Sequence, residues 1–287
     1  MERNANQDPF VARLRLVEHG PWELQASKHA AEKDIIQPLP RNVSVASDAS
    51  AFLDFLIPNF HRRLLKCFVR QNANRVWPIE TLMQQTRPPS LAALSDALDY
   101  CEKNQFALST SSRRDVWMGG SSLRHIANFG WTFEWFVQAW LERTYHALVR
   151  RQVLLVSLAP LGDIDVLAFL EDNRVLMIEC KSTSKGITAG HVARFVQRAK
   201  KFPADIALLL IDTDDAQQMM QRLGQFRAVM LQEYGAYMLR RTFPSGKSTI
   251  IHMRGNLYVA DTGDGLDTTI HAVLSHHASL SPQEKSF

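Results

Sequence analysis

Apolar residues change their spacing along the chain, and each spacing predicts a different kind of element. Between residues 51 and 118 the period is helical. In "AFLDFLIPNFHRRLLKCFVRQ", Leu64, Leu65, Phe68 and Val69 recur at helical intervals, with Pro58 interrupting the run near its start. "WPIETLMQQT" puts Pro78 at a first helical turn. In "RPPSLAALSDALDYCEKNQ", Ser90 is an N-cap for a stripe of Leu91, Leu94, Ala97 and Leu98. Two strand-like pieces follow, "FALSTS" and "DVWMGG", joined by the basic turn "SSRRD".

Beyond Gly130 the pattern predicts a long helix, "WTFEWFVQAWLERTYHALV", with a buried stripe of Phe133, Phe136, Val137, Trp140, Leu141 and Leu148. Glu134 lies on the edge of that stripe and Glu142 points away from it. Trp131, Trp135 and Trp140 read as packing residues. "QVLLVSL", "DVLAFL" and "VLMIECK" then read as three strands, the last two forming a hairpin around "EDNR". "TAGHVARFVQRAKKF" is a basic amphipathic helix. "ADIALLLIDT" is a strand too apolar to alternate, as expected of one covered on both faces. "NLYVAD" and "DTTIHAVLSHH" add a strand and a helix that extend this sheet. The organisation expected is a 1–50 extension without an assigned role, a mainly helical 51–120 module, and an α/β domain with a mixed sheet over 121–287.

Composition narrows the classes. With 46% hydrophobic residues the chain can bury a core, and its three widely spaced cysteines form neither a disulfide framework nor a zinc motif. "MERNANQDPF" lacks an apolar leader core, and Ile206 to Ile211 is too short to span a bilayer, so a soluble cytoplasmic protein is expected. The net charge of +4 is uneven: ten Lys or Arg face five acids between 60 and 125, and Lys185 to Lys201 holds five bases and no acid. Such basic stretches suit a polyanion.

Against this background the charged residues inside the apolar strands stand out, because buried charges are kept only when paired or metal-bound. Strand side chains alternate, so Glu179 and Lys181 share a face. Asp165, near the start of the preceding strand, comes opposite them across the hairpin. Glu134 can add a helix carboxylate. Oxygen donors of this kind suit Mg2+, and the chemistry that follows is phosphodiester hydrolysis, with Lys181 supplying charge to the phosphate or orienting a water.

Asp165 followed by Ile178-Glu179-Cys180-Lys181, with Gly130 and Glu134 upstream, resembles the PD-(D/E)XK superfamily, the restriction endonuclease-like fold, over about 85 residues from Gly130 to Thr213. The text "GDIDV" and "VLMIECK" is most similar to Holliday-junction resolvases, Mrr-type nucleases and CRISPR-ancillary nuclease domains. The resemblance implies an α-β-β-β-α-β core. It implies Asp165, Glu179 and the Cys180 carbonyl as ligands for Mg2+, with Mn2+ as a substitute. Lys181 would be the catalytic lysine and Glu134 the completing helix carboxylate. Gln197 matches a glutamine some members carry on the helix after the lysine. The proline expected before the first acid is absent, so Asp163 and Asp165 both remain candidates. Asp165 is favoured because the strand begins there. The 51–120 pattern resembles a winged helix-turn-helix, with Ser90 to Lys103 in the recognition position and Arg113 and Arg114 at the wing tip.

The expected function is a Mg2+-dependent endonuclease on duplex DNA, with defence against foreign DNA as the first role and recombination or repair as the second, with Lys185, Arg194, Gln197, Arg198, Lys200 and Lys201 along the phosphate path and a homodimer to cut both strands. The alternatives are an inactive nucleic-acid-binding component and a nuclease of RNA or single strands. "SGKS" at 245–248 lacks the first glycine of a phosphate-binding loop, and His276-His277 reads as solvent-exposed. His191 reads as a helix N-terminal residue facing solvent or phosphate.

Overall fold

Asp8 begins the first element: its carboxylate accepts from the Phe10 N–H at 2.9 Å and caps α1 (Pro9–Arg15), where Pro9 at the first turn loses no helical hydrogen bond. The structure, a computed structural model, describes residues 8–17, 46–69, 74–123, 126, 129–213, 224, 226–232, 241–245, 248–253, 255–281 and 285. It divides into two units, Lys28–Thr132 and Met1–Ser27 with Phe133–Phe287.

In the 28–132 unit the order is α2 (Ala46–Leu56), α3 (Asn59–Phe68), β1 (Trp77–Pro78), α4 (Ile79–Thr86), α5 (Leu91–Lys103), β2 (Ala107–Ser109) and β3 (Val116–Gly119). The three strands form an antiparallel sheet in the order β1-β3-β2. Ser90 caps α5 as expected, its hydroxyl accepting from the Ala93 N–H at 3.1 Å. Leu64, Leu65, Phe68, Val69, Leu94, Ala97 and Leu98 are buried, so both predicted stripes face a core except at Leu91, which stands 57% exposed in the first turn of α5.

The other unit continues with α6 (Phe129–Tyr145), β4 (Leu148–Val153), β5 (Ile164–Phe169), β6 (Val175–Lys181), α7 (Ala189–Lys201), β7 (Ile206–Ile211), β8 (Arg241–Ser245), β9 (Ser248–His252), β10 (Leu257–Asp261) and α8 (Leu266–Ser279). Its mixed seven-stranded sheet runs β4-β5-β6-β7-β10-β9-β8. The β4-β5-β6 meander is antiparallel, whereas β6, β7 and β10 are mutually parallel. β6 and β7 are near-continuous apolar runs because they lie inside the sheet and are covered on both faces. This is an α/β class with a mixed sheet. No helix among the described residues is long and apolar enough to cross a membrane.

Three expectations change. The long helix ends at Tyr145, where His146 takes a left-handed φ of 48°, and Leu148 starts β4 instead of closing the helix stripe. The strand expected at "QVLLVSL" therefore ends at Val153, and Val156–Leu161 forms a 3-10 turn whose Pro160 has no N–H to give a ladder. His277, expected in solvent, is buried against the Tyr258 hydroxyl. Most of residues 1–50 lie outside the described residues, but α1 does not stand apart. Phe10 and Leu14 join the core of the α/β unit, Phe10 meeting Phe169 edge to face at 5.0 Å. Gly246 and Lys247 of the "SGKS" stretch are outside the described residues.

Candidate active site

The hairpin register builds the site. Val166 pairs with Ile178 and Phe169 with Val175, so continuing the ladder sets Asp165 opposite Glu179 on the same face of adjacent strands. Lys181, two residues on, shares that face. Its ammonium lies 2.6 Å from Glu179 Oε1, 3.3 Å from the Cys180 carbonyl oxygen and 3.6 Å from Asp165 Oδ2. Asp165 Oδ2 also accepts from the Cys180 N–H at 2.8 Å, which ties the carboxylate to the neighbouring strand. One cation thus touches the oxygens of all three groups that the sequence nominates as ligands. Asp163 precedes β5 in the loop after Gly162.

Glu134 comes from the second turn of α6 and is buried to 7% exposure. Its carboxylate accepts from the Gln152 amide at 3.1 Å. Gln152 was not foreseen. It sits in β4 at a left-handed φ of 53°, at the one place where the β4–β5 ladder skips a pair, between Arg151↔Val166 and Val153↔Ile164. A non-glycine residue in that region costs about 1 kcal/mol or more and persists only where surroundings impose it. No spacing in the sequence signals it.

Burial dominates the electrostatics. It raises Glu134 to about 7, against the Gln152 hydrogen bond. It raises Asp165 well above the usual carboxylate range, and Glu179 adds to the effect. Burial pulls Lys181 down, but Glu179 and Asp165 outweigh it and hold the ammonium above its ordinary value. Cys180 is pushed well up by burial, so its thiol is neutral and its contribution here is the carbonyl.

Among the described residues no three His, Cys, Asp or Glu side chains group as a self-sufficient metal cage. What converges is two carboxylates, a peptide carbonyl and an amine. That donor chemistry fits Mg2+, which keeps several waters and commonly takes one or two carboxylates plus substrate phosphate.

The basic residues separate into two groups. Lys185, Arg194, Lys200 and Lys201 are exposed on or just before α7, with Gln197 half-buried among them. Arg198 is not on that surface: only 4% exposed, it donates from Nη1 to the Leu161 carbonyl at 2.6 Å and from Nη2 to Glu179 Oε2. The physical reason is helical phase, since Arg198 shares the inward side of α7 with Phe195 and Ala199. His191 is half-buried, its N–H donating to the Thr188 hydroxyl at 3.3 Å. In the 28–132 unit Arg113 is exposed, but Arg114 turns back onto α5, 2.5 Å from Asp99 and 2.9 Å from Glu102.

No protein-family profile matches the chain, and no curated protein matches it by sequence. One solved structure, protein VC1899 from Vibrio cholerae, is similar at a TM-score of 0.31 and 13% identity, over 71% of this chain and 52% of that one. This chain thus spans about half the length of that protein, and the similarity is too low to establish a shared fold.

Proposed function

We propose that the chain is a metal-dependent endonuclease of the PD-(D/E)XK kind. The observation that carries this reading is the Lys181 ammonium resting among Glu179 Oε1, the Cys180 carbonyl and Asp165 Oδ2, a set of oxygens arranged to hold a cation. The element order α6-β4-β5-β6-α7-β7, with neighbouring strands β4-β5-β6-β7, supports it as the core expected of that fold. Asp165, Glu179 and the Cys180 carbonyl would hold Mg2+ or Mn2+. Bound there, the ion supplies Lewis-acid polarisation of a phosphoryl oxygen. Lys181, freed from its carboxylates, places a positive charge where the phosphate gains negative charge. Glu134, protonated at neutrality more than an ordinary carboxyl, can hand a proton to or from water at the edge of the site.

The substrate proposed is duplex DNA, met by Lys185, Arg194, Lys200 and Lys201 on its phosphates. The order of helices, strand and hairpin in the 28–132 unit, with strand order β1-β3-β2, supports a winged-helix reading of that unit. Its charge argues against α5 as the groove-reading helix. The outer side of α5 carries Asp96, Asp99 and Glu102 against Lys103, and the wing's Arg114 is spent on two of those acids. Phosphate contact is therefore assigned to α7 rather than α5.

Conversion of supercoiled plasmid in Mg2+, absent in EDTA and lost in Asp165→Ala, Glu179→Ala and Lys181→Ala, is expected. Cleavage that survives all three substitutions refutes the assignment. A second reading, an inactive nucleic-acid-binding component, is favoured by the ion pairing of both Glu179 oxygens with the chain's own cations. Tight DNA binding with no turnover in Mg2+ or Mn2+ would establish it instead.

A further inference from the structure

Glu179 has both carboxylate oxygens engaged by cations, and the two cations are held differently. Lys181 lies on Oε1, is 20% exposed, and sits on a flexible four-carbon stem shared among three oxygens. Arg198 lies on Oε2 and is fixed at both ends of its fork. Its side chain is 5% exposed, its Nη1 donates to Leu161 O at 2.6 Å, and its helix is anchored in the core by Val192, Phe195, Val196 and Ala199. The accepting carbonyl is presented by the 3-10 turn that Gly162 closes at φ 85°. Arg198 Nε is buried and has no hydrogen-bond partner among the described residues, so the fork is held at a cost. An apolar side chain of similar volume would avoid that cost.

We infer that Arg198 is a metal-selectivity residue: by holding Glu179 Oε2 it restricts this carboxylate to binding through one oxygen, which favours a small octahedral cation and disfavours Ca2+. The inference rests on the metal-dependent reading above. Ca2+ gathers six to eight oxygens at about 2.3–2.6 Å and gains from bidentate carboxylates, whereas Mg2+ takes near-octahedral single-oxygen ligands at about 2.0–2.1 Å. Mn2+ shares the carboxylate, carbonyl and water preference of Mg2+ and reports on it. Arg198 thereby acts on the metal through Glu179, as a positioning residue.

The test is competition of Mg2+ and of Ca2+ against Mn2+ bound to the full chain, read by the electron paramagnetic resonance of free Mn2+, with no nucleic acid present. In the wild type, Ca2+ is expected to displace Mn2+ no better than Mg2+ does. In Arg198→Met, with Oε2 released, competition by Ca2+ is expected to strengthen about tenfold relative to Mg2+. Arg198→Lys, which keeps an ammonium for Oε2, is expected to retain the wild-type ratio. An unchanged Ca2+ to Mg2+ ratio in a folded Arg198→Met overturns the inference and leaves the site assignment standing. A wild type that prefers Ca2+ over Mg2+ by about tenfold overturns it without any variant. Absence of stoichiometric Mn2+ binding in the wild type, or Mn2+ binding that Asp165→Ala leaves unaltered, overturns the site assignment and this inference together.

Discussion

Replacing Glu134 with Gln should make the protein more stable at pH 8 and leave it unchanged near pH 4. Glu134 is 7% exposed, and burial lifts its carboxyl from 4.5 to about 7. Between those values the folded chain binds a proton that the unfolded chain has released, so stability falls as pH rises through that window. At 1.36 kcal/mol per pH unit, the displacement corresponds to at most ~3 kcal/mol, part of which belongs to the neighbouring carboxylates. Glu134→Gln keeps the volume and an oxygen that can accept from the Gln152 amide, but it carries no charge. Urea denaturation at pH 4, 6 and 8 in EDTA, followed by far-UV circular dichroism, gives the difference directly. The variant is expected to gain ~2–3 kcal/mol over wild type at pH 8 and nothing at pH 4, with the change centred between. A difference independent of pH, or a wild type that gains on the variant as pH rises, would show that this carboxyl does not bear its charge in a buried site.

Three further substitutions probe the packing of the two units. Gly120→Ala would put a methyl group 2.0 Å from the Gln105 carbonyl oxygen and 2.8 Å from the Phe106 carbonyl carbon. Because these are backbone atoms, a loss of at least ~3 kcal/mol in the 28–132 unit is expected, read as a lowered urea midpoint. Phe10→Ala removes a 3%-exposed ring from the core of the α/β unit and is expected to cost ~3–5 kcal/mol, whereas Leu16→Ala, at a 79%-exposed position, should stay within ~0.5. Equal effects would mean that α1 is not part of that core.

Much of the framework was legible because local rules suffice for it. The helical stripe at Phe133, Phe136, Val137 and Trp140 is buried, and the Ser90 cap is made. The runs at 164–169 and 175–181 form a hairpin, with Asp165 and Glu179 on one face. A hairpin's pleat and pairing follow from alternation and a short turn, so two residues in different strands can be matched on paper. Lys181 is beside them for the same reason.

Other features depend on elements distant in sequence. Arg198 reads as one more base on a basic helix, and only the docking of α7 against the Leu161–Gly162 loop turns it onto Glu179. Gln152 acquires a role from a left-handed backbone that no propensity for glutamine predicts. The loss of Arg114 to Asp99 and Glu102 depends on the hairpin folding back over α5. The weakly patterned stretch around Phe10 shows its worth only against Phe169. Sequence alone determined which residues alternate, which are capped and which carboxylates can share a strand face, because those are nearest-neighbour properties of the chain. Tertiary structure alone decided which charges are buried and which oxygens they hold, because desolvation and ion pairing depend on segments brought together from far along the chain.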